Sequence, residues 1–555
     1  MIIAGSIRPS QLGLANGRSG SGESLNLRAT TINQQAVVGL GLMAVSLLLA
    51  YEVGGWIASE NLKQVEFVFV AAAVSVASVT ILRNWRAGFY MFLGWVVFED
   101  SVRKYLGNNM LIYFAKDLLV LLMYFSLYIA VRDKKDRIFR PPFLIVLSLY
   151  FWWAVIQVLN PNSPSYLYGI LGLKIDFFYA PLMLVGYALI RTDEDLREFL
   201  TFSMILAGLV AGLGVVQAIV GPGFLNPATL APEIRELGDL SKFTPITHQM
   251  VHLPSSVFVS AGRFSGYLFS MSVLGMGTAG YYLLRGARGR WVIFAALGTI
   301  AAAVALCGSR GALILSSGSA ICMSAMFLWG APWRTRQVYR MLKAIRRSAI
   351  IMALALALIV LLFPKEIGVR WDFYTETLDP RSTASELGHR TWDYPIYNFM
   401  LAFSTPHWLM GYGTGTASLG AQYVAKIFKE KKPEVSVESG WGSIVVEMGV
   451  FGLALWLVWT SVLVVGCWRQ VLKLRQTRLF PVGFGAFWFI AMMLIPETYA
   501  SLNVYQDYIL QAYLWMLVGI LYRLPELLVT RPVPVPAAVA ASPAVSRGFV
   551  EEFVP

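Results

Sequence analysis

The chain has 555 residues, of which 57% are hydrophobic and only 14% are charged, and its mean hydropathy is +0.61. A soluble domain needs a more polar surface than this composition provides, so a soluble protein is excluded. The net charge of +13 does not indicate a nucleic-acid partner, because the basic residues lie between apolar segments and form no single stripe. The composition predicts an all-α polytopic membrane protein.

Fourteen apolar segments approach the roughly 20 residues that a helix needs to cross a bilayer. They lie at 36–56, 65–82, 87–98, 110–131, 142–158, 176–190, 199–220, 264–284, 291–306, 311–330, 347–363, 441–466, 480–496 and 506–523. Lys and Arg concentrate in alternating connections, such as 132–140, 334–347 and 469–478. Because basic loops stay in the cytoplasm, this alternation predicts that both termini are cytoplasmic.

The spans and their connections divide the chain into five regions. These are a flexible cytoplasmic tail (1–34), helices 1–11 with an external loop at 221–263 (35–363), a large periplasmic loop (364–440), helices 12–14 (441–524) and a disordered cytoplasmic tail rich in Pro and Ala (525–555). The N-terminal tail lacks the apolar run and cleavage site of a signal peptide. The large loop is rich in aromatic residues, so we expect it to fold as a cap that carries the functional site.

The sequence indicates no metal and no other cofactor. Its 3 cysteines lie in or beside apolar segments and lack the CxxC spacing of a zinc site. The only DxD motif, at 193–195, falls in a predicted cytoplasmic loop. Thr192 precedes it in the pattern of a helix cap, which favours capping over metal binding.

One arginine stands between two apolar segments with almost no loop to hold it in water. It lies in the turn Cys307-Gly308-Ser309-Arg310-Gly311. Arg310 either snorkels to the interface or forms a fixed cation at the external mouth of a cavity, because charges within a membrane tend to face interior sites. Its small neighbours would let a bulky anion approach closely.

A second basic motif lies in the large loop. His389 and Arg390 precede Pro395, and the segment 395–404 is apolar enough for a short helix with Pro in its first turn. Arg390 would then stand just ahead of a helix N-terminus, where the N–H groups and the dipole favour anions.

Glycines and carboxylates follow this motif. Gly411 and Gly413 belong to an alternating run that by itself indicates only a tight turn, but its position after Arg390 suggests that it joins an anion site. Glu438 lies at the mouth of the twelfth predicted span, and Glu447 lies two turns further in. Each is either an arginine partner or a base.

Arg263 opens the eighth predicted span directly after the first long loop. It therefore shares the predicted external face with Arg310 and Arg390. Three arginines on one face suggest a site for phosphate or pyrophosphate, because planar guanidinium groups bind these oxygens in a bidentate manner. The other charges within apolar segments are expected to form ion pairs between helices; they are Lys116, Asp117, Lys174 and Asp176.

The order of these motifs resembles the superfamily of bacterial O-antigen polymerases and O-antigen ligases, which are GT-C-like integral membrane glycosyltransferases. The resemblance covers roughly residues 300–460. It rests on the turn at 309–311, on the stretch from 388 to 413, and on the glutamate motifs at 438–441 and 447–452. Ligases of this family usually carry a His-Asn element where this chain has the first glutamate motif, so the resemblance favours a polymerase.

The resemblance implies that the protein joins undecaprenyl-pyrophosphate-linked repeat units by metal-independent inverting transfer at the periplasmic face of the bacterial inner membrane. Arg390 and Arg310 would hold the pyrophosphate with Arg263 in support, and Glu438 or His389 would take the acceptor's proton. Expected partners are the lipid-linked oligosaccharide, the bilayer, and a chain-length regulator or flippase of the same pathway. Two alternatives remain open: ligase-type transfer of a lipid-linked glycan to lipid A core or protein, and transport of a polysaccharide or lipid-linked sugar.

Overall fold

The computed structural model describes residues 62–106, 110–133, 138–227, 241–286, 289–332, 360–421 and 437–529, with isolated residues between 343 and 357 and between 424 and 429. The chain divides into two units, Met1–Ala73 and Val74–Pro555. Among the described residues, the first unit contains only the first turns of the first helix, and all other described elements lie in the second unit.

The described residues are almost entirely helical. The helices are α1 (Leu62–Arg83), α2 (Trp85–Leu106), α3 (Met110–Arg132), α4 (Leu144–Gln157), α5 (Tyr166–Phe177), α6 (Leu182–Leu189), α7 (Asp193–Val220), α8 (Ala261–Arg285), α9 (Arg290–Leu306), α10 (Arg310–Gly330), α11 (Pro364–Leu378), α12 (Tyr394–Phe403), α13 (Gly440–Lys473), α14 (Phe480–Met492), α15 (Thr498–Ala500), α16 (Leu502–Gln506) and α17 (Tyr508–Val529). Two π-helical turns occupy His389–Asp393 and Met493–Glu497. Strands β1 (Ser241–Phe243) and β2 (Met250–His252) pair antiparallel.

Six helical segments among the described residues are long and apolar enough to cross a membrane. They are Leu111–Arg132, Tyr166–Leu189, Asp193–Val220, Arg310–Gly330, Gly440–Lys473 and Phe480–Ala500. The chain is therefore an all-α membrane protein. The count of fourteen spans stays a prediction, because the predicted span at 36–56 and most of the one at 347–363 lie outside the described residues.

Buried charges lie inside helices that the sequence predicted to be shorter. The predicted third span ends at 98, but α2 continues to Leu106, because the Glu99 carboxylate lies 3.1 Å from the Lys116 ammonium of α3. The predicted sixth span begins at 176, but α5 begins ten residues earlier. Within it, Lys174 lies 2.7 Å from the Asp117 carboxylate. Opposite charges on neighbouring helices compensate each other, so these charges do not mark helix ends.

Close helix contacts in the core require glycine. The C-terminal helix α17 packs along α6, and a Cβ atom at Gly186 would clash with the backbone of Met516. A Cβ atom at Gly519 would likewise clash with the backbone of Met183. Small residues that let two backbones approach are typical of helix pairs in membranes.

A capping box begins α7, as the sequence predicted. The Thr192 side chain accepts a hydrogen bond from the Asp195 amide, and the Asp195 carboxylate accepts one from the Thr192 amide at 2.8 Å. The neighbouring Asp193 pairs with Arg285 of α8. The DxD motif therefore caps and anchors a helix.

Helix α11 of the large loop is attached to the ends of the long helices through Arg370. Its guanidinium is buried and donates hydrogen bonds to the carbonyl oxygens of Leu306 at 2.9 Å, Ala218 at 3.0 Å and His252 at 3.1 Å. Burial lowers the pKa of this guanidinium below its ordinary value. The bonds join α11 to the ends of α7 and α9 and to β2.

Glu376 provides a second attachment between α11 and the β-hairpin. Its carboxylate accepts hydrogen bonds from the Ile246 amide at 2.7 Å, the Thr247 amide at 3.2 Å and the Thr247 hydroxyl at 2.8 Å. Desolvation acts to raise the pKa of Glu376, but these bonds to the ionised form outweigh it and lower the pKa below 4.5. The first long loop and the large loop are thus fastened to each other.

Candidate functional site

A cavity of about 530 Å³ lies where the starts of α8 and α10 meet the large loop. Its wall contains a turn of small residues, one arginine side chain, one lysine side chain and two carboxylates, and most of its other side chains are apolar. The residues that line the cavity include Lys242, Gly308, Ser309, Arg310, Glu386, Leu387, Pro395 and Glu497. A concave, mostly apolar site with a few polar groups is the form that ligand sites usually take.

The turn between α9 and α10 builds one side of the cavity. Gly308 has a φ of 69°, a left-handed conformation that glycine adopts without strain. The Ser309 hydroxyl then accepts a hydrogen bond from the Ala312 amide at 3.3 Å and caps α10. Arg310 is thereby the first residue of α10, at a helix N-terminus whose dipole favours negative charge.

Arg310 has one guanidinium nitrogen with a partner and one without. Its Nη2 atom lies 3.1 Å from the Glu386 carboxylate. Its Nη1 atom is buried and has no hydrogen-bond partner among the described residues. The guanidinium also lies over the Phe373 ring, 5.4 Å from the ring centroid. Because an unpaired buried donor is costly, this nitrogen is suited to an anionic ligand.

Glu497 ends the π-helical turn Met493–Glu497 and lines the same cavity. Pro496 lies within this turn. Proline has no backbone N–H to donate, and π-helical turns are frequent at functional sites. Sequence reasoning missed this glutamate because the thirteenth predicted span stops at 496. The signal was a Pro-Glu pair inside an otherwise apolar run.

The segment around Arg390 flanks the cavity through Leu387 and Pro395. The predicted short helix is confirmed as α12, with Pro395 in its first turn. The expectation that Arg390 precedes the helix N-terminus is wrong, because His389–Asp393 forms a π-helical turn continuous with α12. The His389 ring is exposed and packs 5.7 Å from the Tyr394 ring. The Arg390 side chain lies outside the part of the chain that the structure describes.

Arg263 does not line the cavity and belongs to an ion-pair cluster. Its Nη1 atom lies 2.9 Å from the Asp100 carboxylate and its Nε atom 3.2 Å from the Asp507 carboxylate. Arg103 also pairs with Asp100 at 3.2 Å. Two carboxylates already compensate the Arg263 charge, so this geometry favours a structural role over the predicted contact with pyrophosphate.

Gly411 and Gly413 lie in a turn that packs against α13. The Gly411 amide donates to the His407 carbonyl oxygen at 2.6 Å, and the Gly413 amide donates to the Glu447 carbonyl oxygen at 2.9 Å. Both glycines have positive φ, 78° and 103°. Because both amides have partners, the turn has no free donor for phosphate at these positions, and we do not include them in the proposed site.

Glu447 and Gln506 anchor the chain that follows this turn. The buried Glu447 carboxylate accepts a hydrogen bond from the Ala417 amide at 3.0 Å, and the Gln506 side chain accepts one from the Leu419 amide at 2.9 Å. Glu447 is therefore an anchor for the loop backbone, a role that the sequence did not predict.

Glu438 is exposed beside the N-terminus of α13 and does not line the cavity. Its backbone amide donates to the Asn398 side chain at 3.4 Å. The predicted role of Glu438 as a base stays a prediction.

The predicted ion pairing is confirmed for Lys116, Asp117 and Lys174 but not for Asp176, whose partner is an uncharged amide. Lys116 and Asp117 point to different partners, Glu99 and Lys174. Asp176 accepts a hydrogen bond from the Gln506 side chain at 2.9 Å. These charges hold helices together.

Within the described ranges, no three His, Cys, Asp or Glu side chains lie close enough to hold a metal ion. Comparison of the chain with protein-family models, curated proteins and solved structures found no match in any of the three.

Proposed function

We propose that this protein is a glycosyltransferase that polymerises lipid-linked oligosaccharides, with the cavity at Arg310 as its donor site. The observation that carries the proposal is the buried, unpartnered Nη1 atom of Arg310 at the N-terminus of α10, in the wall of a cavity of about 530 Å³. The resemblance of the motif order to O-antigen polymerases supplies the substrate class, an undecaprenyl-pyrophosphate-linked repeat unit.

The chemistry needs a leaving group whose charge is stabilised as the bond breaks. The bond between the donor sugar C1 and the pyrophosphate oxygen breaks, and a bond from the acceptor hydroxyl oxygen to C1 forms on the opposite face. Arg310 and the α10 dipole would stabilise the growing charge on the pyrophosphate. Gly311, which also lines the cavity, leaves room for a bulky anion beside the guanidinium, because no heavy atom lies within 4 Å of an added Cβ atom there.

Arg390 is assigned to the same pyrophosphate because its segment flanks the cavity through Leu387 and Pro395. The proposed location is the inner membrane of a bacterium, with the cavity facing the periplasm. Partners would be the lipid-linked oligosaccharide itself and a flippase or chain-length regulator that serves the same polymer.

The direct test is to incubate the purified protein in lipid vesicles with undecaprenyl-pyrophosphate-linked oligosaccharide and to separate the products on a gel. We expect a ladder of chain lengths. Arg310→Ala should reduce its rate of formation by about 10²–10³-fold, the usual effect of removing one charge-stabilising donor. The matched control is Arg381→Ala, an exposed arginine of the large loop that does not line the cavity.

Other outcomes would replace the proposal. Product that forms only when lipid A core or a protein acceptor is added would make the protein a ligase. Movement of the oligosaccharide across the vesicle membrane without any new glycosidic bond would make it a transporter.

A further inference from the structure

Two carboxylates line the cavity, and their surroundings differ. Glu386 lies 3.1 Å from the Arg310 guanidinium, so its charge is compensated. The Glu497 carboxylate has no hydrogen bond or ion pair to any of the described residues. The cavity therefore holds one carboxylate that pairs with the arginine and one that has no protein partner.

We propose that Glu497 is the general base that takes the proton from the acceptor hydroxyl. This inference rests on the proposed glycosyl transfer and assigns a residue to its second substrate. As the acceptor oxygen attacks the donor C1, its proton passes to the Glu497 carboxylate, and the electron pair of the broken C1–O bond leaves with the undecaprenyl pyrophosphate. Protonated Glu497 then returns the proton to water.

The position of Glu497 suits this task better than those of the residues chosen from the sequence. Glu438 and His389 are exposed, and neither lines the cavity. Glu497 lies in the same wall as Arg310 and faces the same space. A base must reach the reacting hydroxyl directly or through one water, so placement in the cavity is the first requirement.

The local backbone explains why the carboxylate has no helix neighbour to pair with. The π-helical turn Met493–Glu497 interrupts the regular helix between α14 and α15. Thr498 turns its hydroxyl back to the Met493 carbonyl oxygen at 2.7 Å, which satisfies a carbonyl group in the turn. The turn is thus held by its own bonds, and the Glu497 side chain takes no part in them.

The test compares Glu497→Gln with Arg381→Ala in the vesicle assay, because Arg381 is exposed in the large loop and does not line the cavity. Glu497→Gln keeps the shape of the side chain and breaks no contact, so we expect normal folding and unchanged binding of undecaprenyl pyrophosphate. We expect kcat to fall by about 10²–10⁴-fold, the usual contribution of a general base. The acidic limb of the wild-type pH profile of kcat/KM should disappear in this variant. Arg381→Ala should retain wild-type kcat.

The outcomes separate this inference from the proposed function. Polymer made by wild type and equally by Glu497→Gln would overturn the assignment and leave the glycosyl transfer in place. A lower kcat with an unchanged acidic limb would assign Glu497 a structural role and overturn it as well. Wild-type protein that forms no glycosidic bond with any acceptor would overturn both. If Glu497→Gln does not fold, Glu497→Asp serves instead. It draws the carboxylate back by one methylene from the hydroxyl that it must reach, so kcat should fall, and wild-type kcat in that variant would overturn the assignment.

Discussion

The Arg310 guanidinium and the Glu386 carboxylate form an ion pair, 3.1 Å apart, in the wall of the cavity. The two residues come from different parts of the chain, since Arg310 begins α10 and Glu386 lies in the large loop. An anionic ligand at Arg310 would therefore compete with a carboxylate of the protein. Glu386 restrains the arginine and opposes the binding of negative charge.

Glu386→Gln should strengthen binding of undecaprenyl pyrophosphate. Removing the competing carboxylate should lower the Kd about 2–5-fold, the range expected for a partly exposed ion pair. The measurement is a titration of the variant and the wild type with undecaprenyl pyrophosphate in detergent micelles. Weaker binding by the variant would mean that Glu386 is needed to orient Arg310 and does not compete with the ligand.

Arg263→Ala should destabilise the protein. The change leaves the Asp507 carboxylate, only 6% exposed, without its arginine, and removing one partner of a buried ion pair costs about 3–5 kcal/mol. Thermal unfolding in detergent measures the loss, with Arg381→Ala as the exposed control. A variant as stable as wild type but unable to bind the donor would restore the pyrophosphate role that the sequence predicted for Arg263.

Gly411→Ala and Gly388→Ala should differ in their effects on stability. At Gly411, φ is 78°, and an added Cβ atom would lie 2.5 Å from the Glu447 carbonyl oxygen, so we expect a loss of about 1–3 kcal/mol. At Gly388, φ is −63° and no heavy atom lies within 4 Å of an added Cβ atom. Alanine there should be neutral or stabilise by up to about 1 kcal/mol. Equal unfolding temperatures for the two variants would contradict this account of the glycine turn.

Acidification should detach the β-hairpin from α11. The pKa of Glu376 is lowered in the folded protein, so its bonds to Ile246 and Thr247 contribute stability above the ordinary pKa of 4.5 and lose it as the pH falls through the lower folded value. Proteolysis of the hairpin, followed between pH 6 and pH 3, should accelerate at the acidic end of this range, which is about where carboxylates gain protons. The same acceleration in Glu376→Gln would show that another group is responsible.

The sequence predicted the positions of the helices more accurately than the residues at which they begin and end. It also predicted local motifs more accurately than the contacts that their side chains make. Hydropathy located both ends of α10 and the C-terminal end of α7, because burial in lipid requires long apolar runs, but α7 begins at Asp193 and the predicted span at 199. The end of α2 was missed because the partner of Glu99 is Lys116 on the next helix, and such a pair is invisible in a hydropathy plot. Local patterns also predicted the cap at Thr192, since it depends on neighbours along the chain.

Only some residues of the candidate site could be predicted from the sequence. The turn at Arg310 could be found because an arginine between two apolar runs is unusual in any membrane protein. The ion pairs of Arg263 with Asp100 and Asp507 join residues far apart in the chain, so no local pattern revealed them. Glu497 was missed because its place in the cavity depends on a π-helical turn at the end of an apolar run.

Single-turnover release of undecaprenyl pyrophosphate measures whether Arg310 stabilises the departing pyrophosphate. Purified wild type, Arg310→Ala and Arg381→Ala, each in excess over the donor, would be mixed in vesicles with a limiting amount of donor and a saturating amount of acceptor. We expect wild type and Arg381→Ala to release undecaprenyl pyrophosphate at equal rates and Arg310→Ala to release it about 10²–10³-fold more slowly. Release from Arg310→Ala at the wild-type rate would contradict this role of Arg310.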